Sequence, residues 1–131
     1  MIRPRLLADR IARNRCKDTP RDVCFYCGDY ASGVDHVIPY VLARHDTELV
    51  SCCAQCNSLL SATVFPDKYA KGAYIYKVLR KRYSAVIACK NRWADELDDF
   101  RPRLLASIRE DFRIAAEAEL RIKWASRFVR A

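Results

Sequence analysis

The sequence predicts an α+β fold that is mostly helical. A small cysteine-clamped hairpin core is flanked by an N-terminal helix and a long C-terminal helix. Three observations carry this prediction. Two Cys-x-x-Cys pairs, Cys24–Cys27 and Cys53–Cys56, bracket short β-like runs. The chain from residue 68 onward follows a helical period. Finally, 131 residues that are 51% apolar and 31% charged suit one globular domain. Residues 1–21 read as the N-terminal helix and linker, 22–62 as the core, and 63–131 as a helical extension with a basic helix at 68–92.

Each element has a local reason. Over 3–15, Leu6, Leu7 and Ile11 share a helical face and Pro4 suits the first turn. Lys17 to Arg21, with Thr19-Pro20, reads as a linker. Gly28, Gly33 and the break at Pro39 punctuate a short hairpin, Val34–Ile38 against Leu49–Cys52, with Tyr40–Glu48 as an irregular or partly helical loop. A short helix is expected over 54–62. Tyr69–Ala88 places Ile75, Leu79, Tyr83 and Val86 on one face, and Gly72 weakens the start of that helix.

Asp98 or Asp99 is the predicted cap of a last helix with Pro102 in its first turn, running to about Phe128. Its apolar residues Leu104, Ile108, Phe112, Ala116, Leu120, Trp124 and Phe128 recur every four positions. That step drifts around a 3.6-residue helix, so the stripe must wind or the helix must bend. The stripe is expected to pack on the basic and N-terminal helices of a monomer. The alternative is a homodimer through this helix, because Trp124 and Phe128 are large for so small a core.

Composition narrows the classes. No apolar run approaches the ~20 residues of a membrane span. The N-terminus lacks an apolar secretory core. Its Arg-rich character also fits a transit peptide, but Asp9, the scarcity of Ser and the packing of its leucines favour a plain helix. A cytoplasmic location is therefore expected. Seven cysteines without a secretion signal point to metal rather than to disulfides.

Charge is more informative by position than in total. The net charge is +8, which suits a polyanionic partner. Residues 24–67 hold one basic and five acidic groups, whereas 68–92 hold eight basic and no acidic ones. A locally negative, cation-suited middle thus precedes a positive, phosphate-suited stretch. In that stretch Lys68, Lys71, Lys77, Arg80, Lys81 and Arg82 interleave with Tyr69, Tyr74, Tyr76 and Tyr83, and they are the candidate contacts to a DNA backbone. The alternative is a solvated helix face, which the lack of any acid disfavours.

Two Cys-x-x-Cys knuckles separated by 25 residues can present four thiolates to one ion. Cys24, Cys27, Cys53 and Cys56 at ~2.3 Å would complete tetrahedral zinc, a closed and therefore structural site. A redox role needs only one motif and a thioredoxin-like pattern, which is absent. Cys53 has the right spacing to Cys56, so Cys52 is read as a buried or bystander thiol. Cys16 and Cys89 are read as core or partly exposed residues.

Between the knuckles stand Asp35 and His36, a pair that a strand would turn to opposite faces. With Cys24-x-x-Cys27, "VDHVIP" at 34–39 and "LVSCCAQCN" at 49–57, the stretch 24–60 resembles the zinc-containing HNH endonucleases of the ββα-metal (His-Me finger) superfamily. The resemblance implies metal-dependent hydrolysis of DNA phosphodiester bonds, leaving a 5′-phosphate and a 3′-hydroxyl. It implies that His36 is the general base, and that Asp35 and Asn57 hold one catalytic Mg²⁺ or Mn²⁺. It also implies a structural zinc on the four cysteines. A neutral imidazole suits the base role, and oxygen donors suit a hard ion. By analogy, the setting is a phage, a mobile element or a bacterial defence system.

Two positions depart from the family. Glu48 stands where the family has an Asn that orders the loop behind the site. Leu60 stands where many relatives have a basic residue, a contact that Lys68 or Lys71 could supply instead. His45 is read as a solvated loop residue. The rival readings are the same fold gripping nucleic acid without cutting it, and a protein-interaction zinc finger with no salt-dependent DNA affinity.

Overall fold

The computed structural model describes residues 22–38, 48–61 and 63–129, without the side chain of Asp98. The predicted helix over 3–15, the linker, Cys16, His45 and nearly all of the loop before Glu48 lie outside the described residues.

Within them the fold is mostly helical around one small antiparallel sheet. Strand β1 (Gly33–His36) pairs with β2 (Leu49–Cys52), with Val34 opposite Ser51, Asp35 opposite Val50 and His36 opposite Leu49. The predicted pairing is right, and β1 stops at His36 rather than Ile38. Val37 still donates to the Glu48 carbonyl at 2.9 Å before the chain bends away. Helix α1 (Ala54–Leu60) follows β2 directly, and Cys53 caps it by accepting the Cys56 amide on its sulfur.

Helix α2 (Lys68–Trp93) begins at an unpredicted cap, where the Asp67 carboxylate accepts the Ala70 amide at 2.8 Å. Its buried face is Lys68, Lys71, Gly72, Ile75 and Leu79. A 3₁₀ segment (Ala94–Asp99) then leads to α3 (Pro102–Ala125) and a last 3₁₀ turn (Ser126–Phe128). Neither Asp98 nor Asp99 caps α3. Arg101 is the N-cap, extended at φ −62°, ψ 145°, because the ring of Pro102 excludes the helical region for the residue before it.

The four-residue apolar stripe of α3 is also corrected. A step of four overshoots each turn by about 40°, so the line leaves the core. Leu104 and Leu120 are exposed, the latter 69%, and Ala116 is exposed as well. The buried line takes three-residue steps instead: Phe112, Ala115, Ala118, Arg121, then Ala125. Small residues there let α3 lie close to α2.

The core is centred on the first knuckle. Cys24, Phe25, Tyr26, Cys27, Val50, Cys52, Cys53, Cys56, Leu60, Ile75 and Leu79 are buried together. The end of α3 closes over it. The Phe25 carbonyl accepts from Trp124 Nε1 at 3.0 Å and from Arg127 Nη2 at 2.6 Å. The Phe128 ring lies 5.3 Å from that of Phe25 and 6.4 Å from that of Tyr26. Trp124 and Phe128 thus spend their aromatic surface on their own chain.

Two glycines make room for this closure. Gly72 is a docking point rather than a weak start, since a Cβ there would stand 2.3 Å from the Phe128 ring. Gly28 ends the first knuckle at φ +76°, and a Cβ there would meet Trp124 at 2.6 Å. Gly28→Ala should therefore cost about 2–4 kcal/mol, combining left-handed strain with overpacking. Urea denaturation of the two proteins measures it. A loss below about 0.5 kcal/mol, the usual range for an inconsequential surface change, would contradict the packing described.

Candidate metal centre and the Asp35 cluster

The knuckles bring Cys24, Cys27, Cys53 and Cys56 into one buried group whose sulfurs all lie within 4.8 Å of one another. Among the described residues it is the one His/Cys/Asp/Glu group arranged to hold a metal ion. Backbone hydrogen bonds shape the first knuckle: Gly28 N–H to the Cys24 carbonyl at 2.9 Å and Cys24 N–H to the Asp29 carbonyl at 2.7 Å. Phe25 N–H ties it to the Ser51 carbonyl of β2 at 2.8 Å. The second knuckle is the entry to α1. Cys53 joins the group, whereas the Cys52 thiol turns to the Cys53 carbonyl at 3.3 Å.

The geometry fits an ion. Cys27 and Cys53 sulfurs are 3.6 Å apart, close to the edge of about 3.8 Å that four sulfurs at ~2.3 Å from a tetrahedral centre define. Hydrogen bonds from Cys24, Cys27 and Cys56 pull the Cys53 thiol down, while Cys56 is pushed up by hydrogen bonding to Cys24, Cys27 and Cys53 and then by burial. Four thiolates so crowded repel one another, and a cation among them offsets that repulsion. The group could hold a metal ion such as zinc.

Arg121 of α3 is the residue that sequence reasoning missed. Its guanidinium bonds Gln55 and reaches Cys56 Sγ at 4.0 Å. Burial lowers its pKa, but Cys27, Cys56 and Cys53 outweigh that and raise it, so the cation belongs beside sulfur. Gln55, inside the second Cys-x-x-Cys, also donates to Tyr83 of α2 at 3.0 Å. A detectable signal existed: an arginine set between Ala118 and Ala125 on a small-residue stripe.

Asp35 lies on the core side of β1, 6% exposed. Its Oδ2 accepts from the Tyr26 hydroxyl at 2.6 Å and from the Lys71 ammonium at 2.8 Å. Lys71 also donates to the His36 carbonyl at 3.0 Å. Burial first, and then the Asp35 charge, raise the Tyr26 pKa, so Tyr26 remains a hydrogen-bond donor. His36, one residue on, is half-buried with its Nδ1 covered. Asn57 is exposed on α1.

The remaining predicted contacts divide into two sets. Lys77, Arg80, Lys81 and Arg82 are exposed on α2. Lys68 and Lys71 are buried, and Lys68 pairs with Glu48. Glu48 therefore anchors the end of the loop to α2. Leu60 is in the core, which is a physical reason for the absence of a basic residue there. Comparison of this chain with protein-family models, curated proteins and solved structures returns no match.

Two outcomes follow for the metal centre. Elemental analysis of purified protein should find one zinc per chain, retained in Cys52→Ser and lost in Cys53→Ser. Removing an outer partner of a metal ligand typically costs 10–100-fold in affinity. Arg121→Met should accordingly weaken zinc binding by about tenfold in competition with a chromogenic chelator, while Arg121→Lys loses less. Equal zinc retention by Cys52→Ser and Cys53→Ser would overturn the ligand assignment.

Proposed function

We propose that this chain is a zinc-braced, HNH-type endonuclease that hydrolyses DNA phosphodiester bonds. The observation that supports this most is the arrangement of the four sulfurs. They tie the turn before β1 to the start of α1, so the strand bearing Asp35 and His36 and the helix bearing Asn57 share one anchor. A two-stranded sheet is marginal alone in water, and a structural zinc supplies the missing stability.

On this reading, His36 takes the proton of an attacking water. Asp35 and Asn57 offer a carboxylate and an amide oxygen, the donors a hard Mg²⁺ or Mn²⁺ prefers. Such an ion, when bound, stabilises the charge that develops on the phosphate and leaving oxygen. Lys77, Arg80, Lys81 and Arg82 hold the DNA backbone with little sequence reading. Their exposure on one helix suits that role.

A second reading has its own observation. Asp35 is already neutralised by a buried lysine and hydrogen-bonded by Tyr26. A site filled in this way suits a module that binds nucleic acid without cutting it.

A plasmid-nicking assay with Mg²⁺ or Mn²⁺ separates the two. The wild type should nick, and His36→Ala should lose at least about 100-fold in rate, the usual worth of general base catalysis. Both should retard DNA on a gel. Replacing Arg80 and Arg82 with Ala should weaken binding and lower the salt slope by about two. DNA retardation without nicking by the wild type would favour the binding module, and no salt-dependent affinity would refute both.

A further inference from the structure

We infer that Lys71 is the resident cation of the Asp35 site and that a divalent ion binds there in competition with it. This deepens the reading of Asp35 just given and rests on it. A lysine in a helix normally lies its stem along apolar surface and keeps its ammonium in water. Lys71 does not. It is 3% exposed, one turn before buried Ile75. Its ammonium ends on two acceptors of β1, Asp35 Oδ2 at 2.8 Å and the His36 carbonyl at 3.0 Å.

The carboxylate oxygen is thus shared by an ammonium and the Tyr26 hydroxyl. A hard divalent ion would approach that same carboxylate to about 2.1 Å. With the 2.8 Å lysine contact on Oδ2, the two cations would stand no more than about 5 Å apart if the ion bound that oxygen, and no more than about 7 Å if it bound Oδ1, in a buried setting. Each charge therefore opposes the binding of the other there. The long, flexible lysine stem can carry its charge elsewhere, and the ion binds at the expense of that pair. The cation requirement of Asp35 is therefore met by the chain itself until a divalent ion outcompetes it. The apparent dissociation constant for that ion is the intrinsic one divided by the fraction of molecules in which Lys71 is out of place.

The test is a Mn²⁺ titration of the full, zinc-loaded chain, following free Mn²⁺ by electron paramagnetic resonance. Lys71→Met removes the charge and keeps the length. It should bind one Mn²⁺ at least about tenfold more tightly than the wild type. Lys71→Arg, which keeps the charge, should bind no more tightly than the wild type. The gain should vanish in the Asp35→Asn/Lys71→Met double variant.

Unchanged or weaker Mn²⁺ binding by a folded, zinc-containing Lys71→Met protein would overturn the proposal. If that variant does not fold, Lys71→Gln is read in the same way. Failure of both to fold would also overturn it, since Lys71 would then be a structural ion-pair partner. The readout is independent of cleavage. Tight Mn²⁺ binding without nicking keeps this inference and rejects the nuclease reading. Nicking by the wild type with no effect of Lys71→Met on Mn²⁺ affinity does the reverse.

Discussion

Four buried sulfurs drawn within 4.8 Å of one another are the constraint on which the rest of this structure depends. The sheet has two strands of four residues each, too little hydrogen bonding to persist alone. The sulfur group joins the segment before β1 to the segment after β2. A slip of β1 against β2 would exchange Asp35 and His36 between faces. An anchor at both ends of the hairpin resists such a slip. The register that puts Asp35 beside Tyr26 and Lys71 is thereby held by residues outside that cluster.

The helices serve that anchor from outside. Helix α3 delivers Arg121 to Gln55 and Cys56, and its last turn delivers Trp124, Arg127 and Phe128 to the first knuckle. The Arg127 guanidinium lies 4.9 Å from the Phe25 ring centre and 4.8 Å from that of Trp124, a cation–π arrangement that suits a partly dried position. Helix α2 passes beneath with Gly72 open to Phe128. The long C-terminal helix therefore has a structural role near its end. Its first half leaves Leu104 exposed and contributes less to the core.

Much of the sulfur group was legible in the sequence, because Cys-x-x-Cys spacing is a local property of a knuckle. The hairpin pairing and the three described α-helices were legible for the same reason. Interactions between distant segments were not. Lys71 read as a phosphate contact because residues 68–92 carry no acid. Yet it stands four residues before Ile75 and eight before Leu79, so it lies on the buried face. Its partner, Asp35, is 36 positions away. Lys90 likewise finds its acid, Glu119, on α3 rather than on its own helix. The α3 stripe misled because apolar residues at a spacing of four define a drifting line, while the alanines that fix the real interface look featureless in a sequence.

The sulfur group and the Asp35 cluster differ in what they ask of an ion. The first has no positive charge within its own knuckles and takes one from Arg121 at its edge. The second already contains its cation. The contrast suits the proposal of a structural ion in the first and an exchangeable one, competing with Lys71, in the second. The most direct measurement is X-ray absorption at the zinc edge of purified protein. The account predicts a first shell of four sulfurs at about 2.3 Å. A first shell containing nitrogen or oxygen, or protein that folds with no zinc at all, would contradict it.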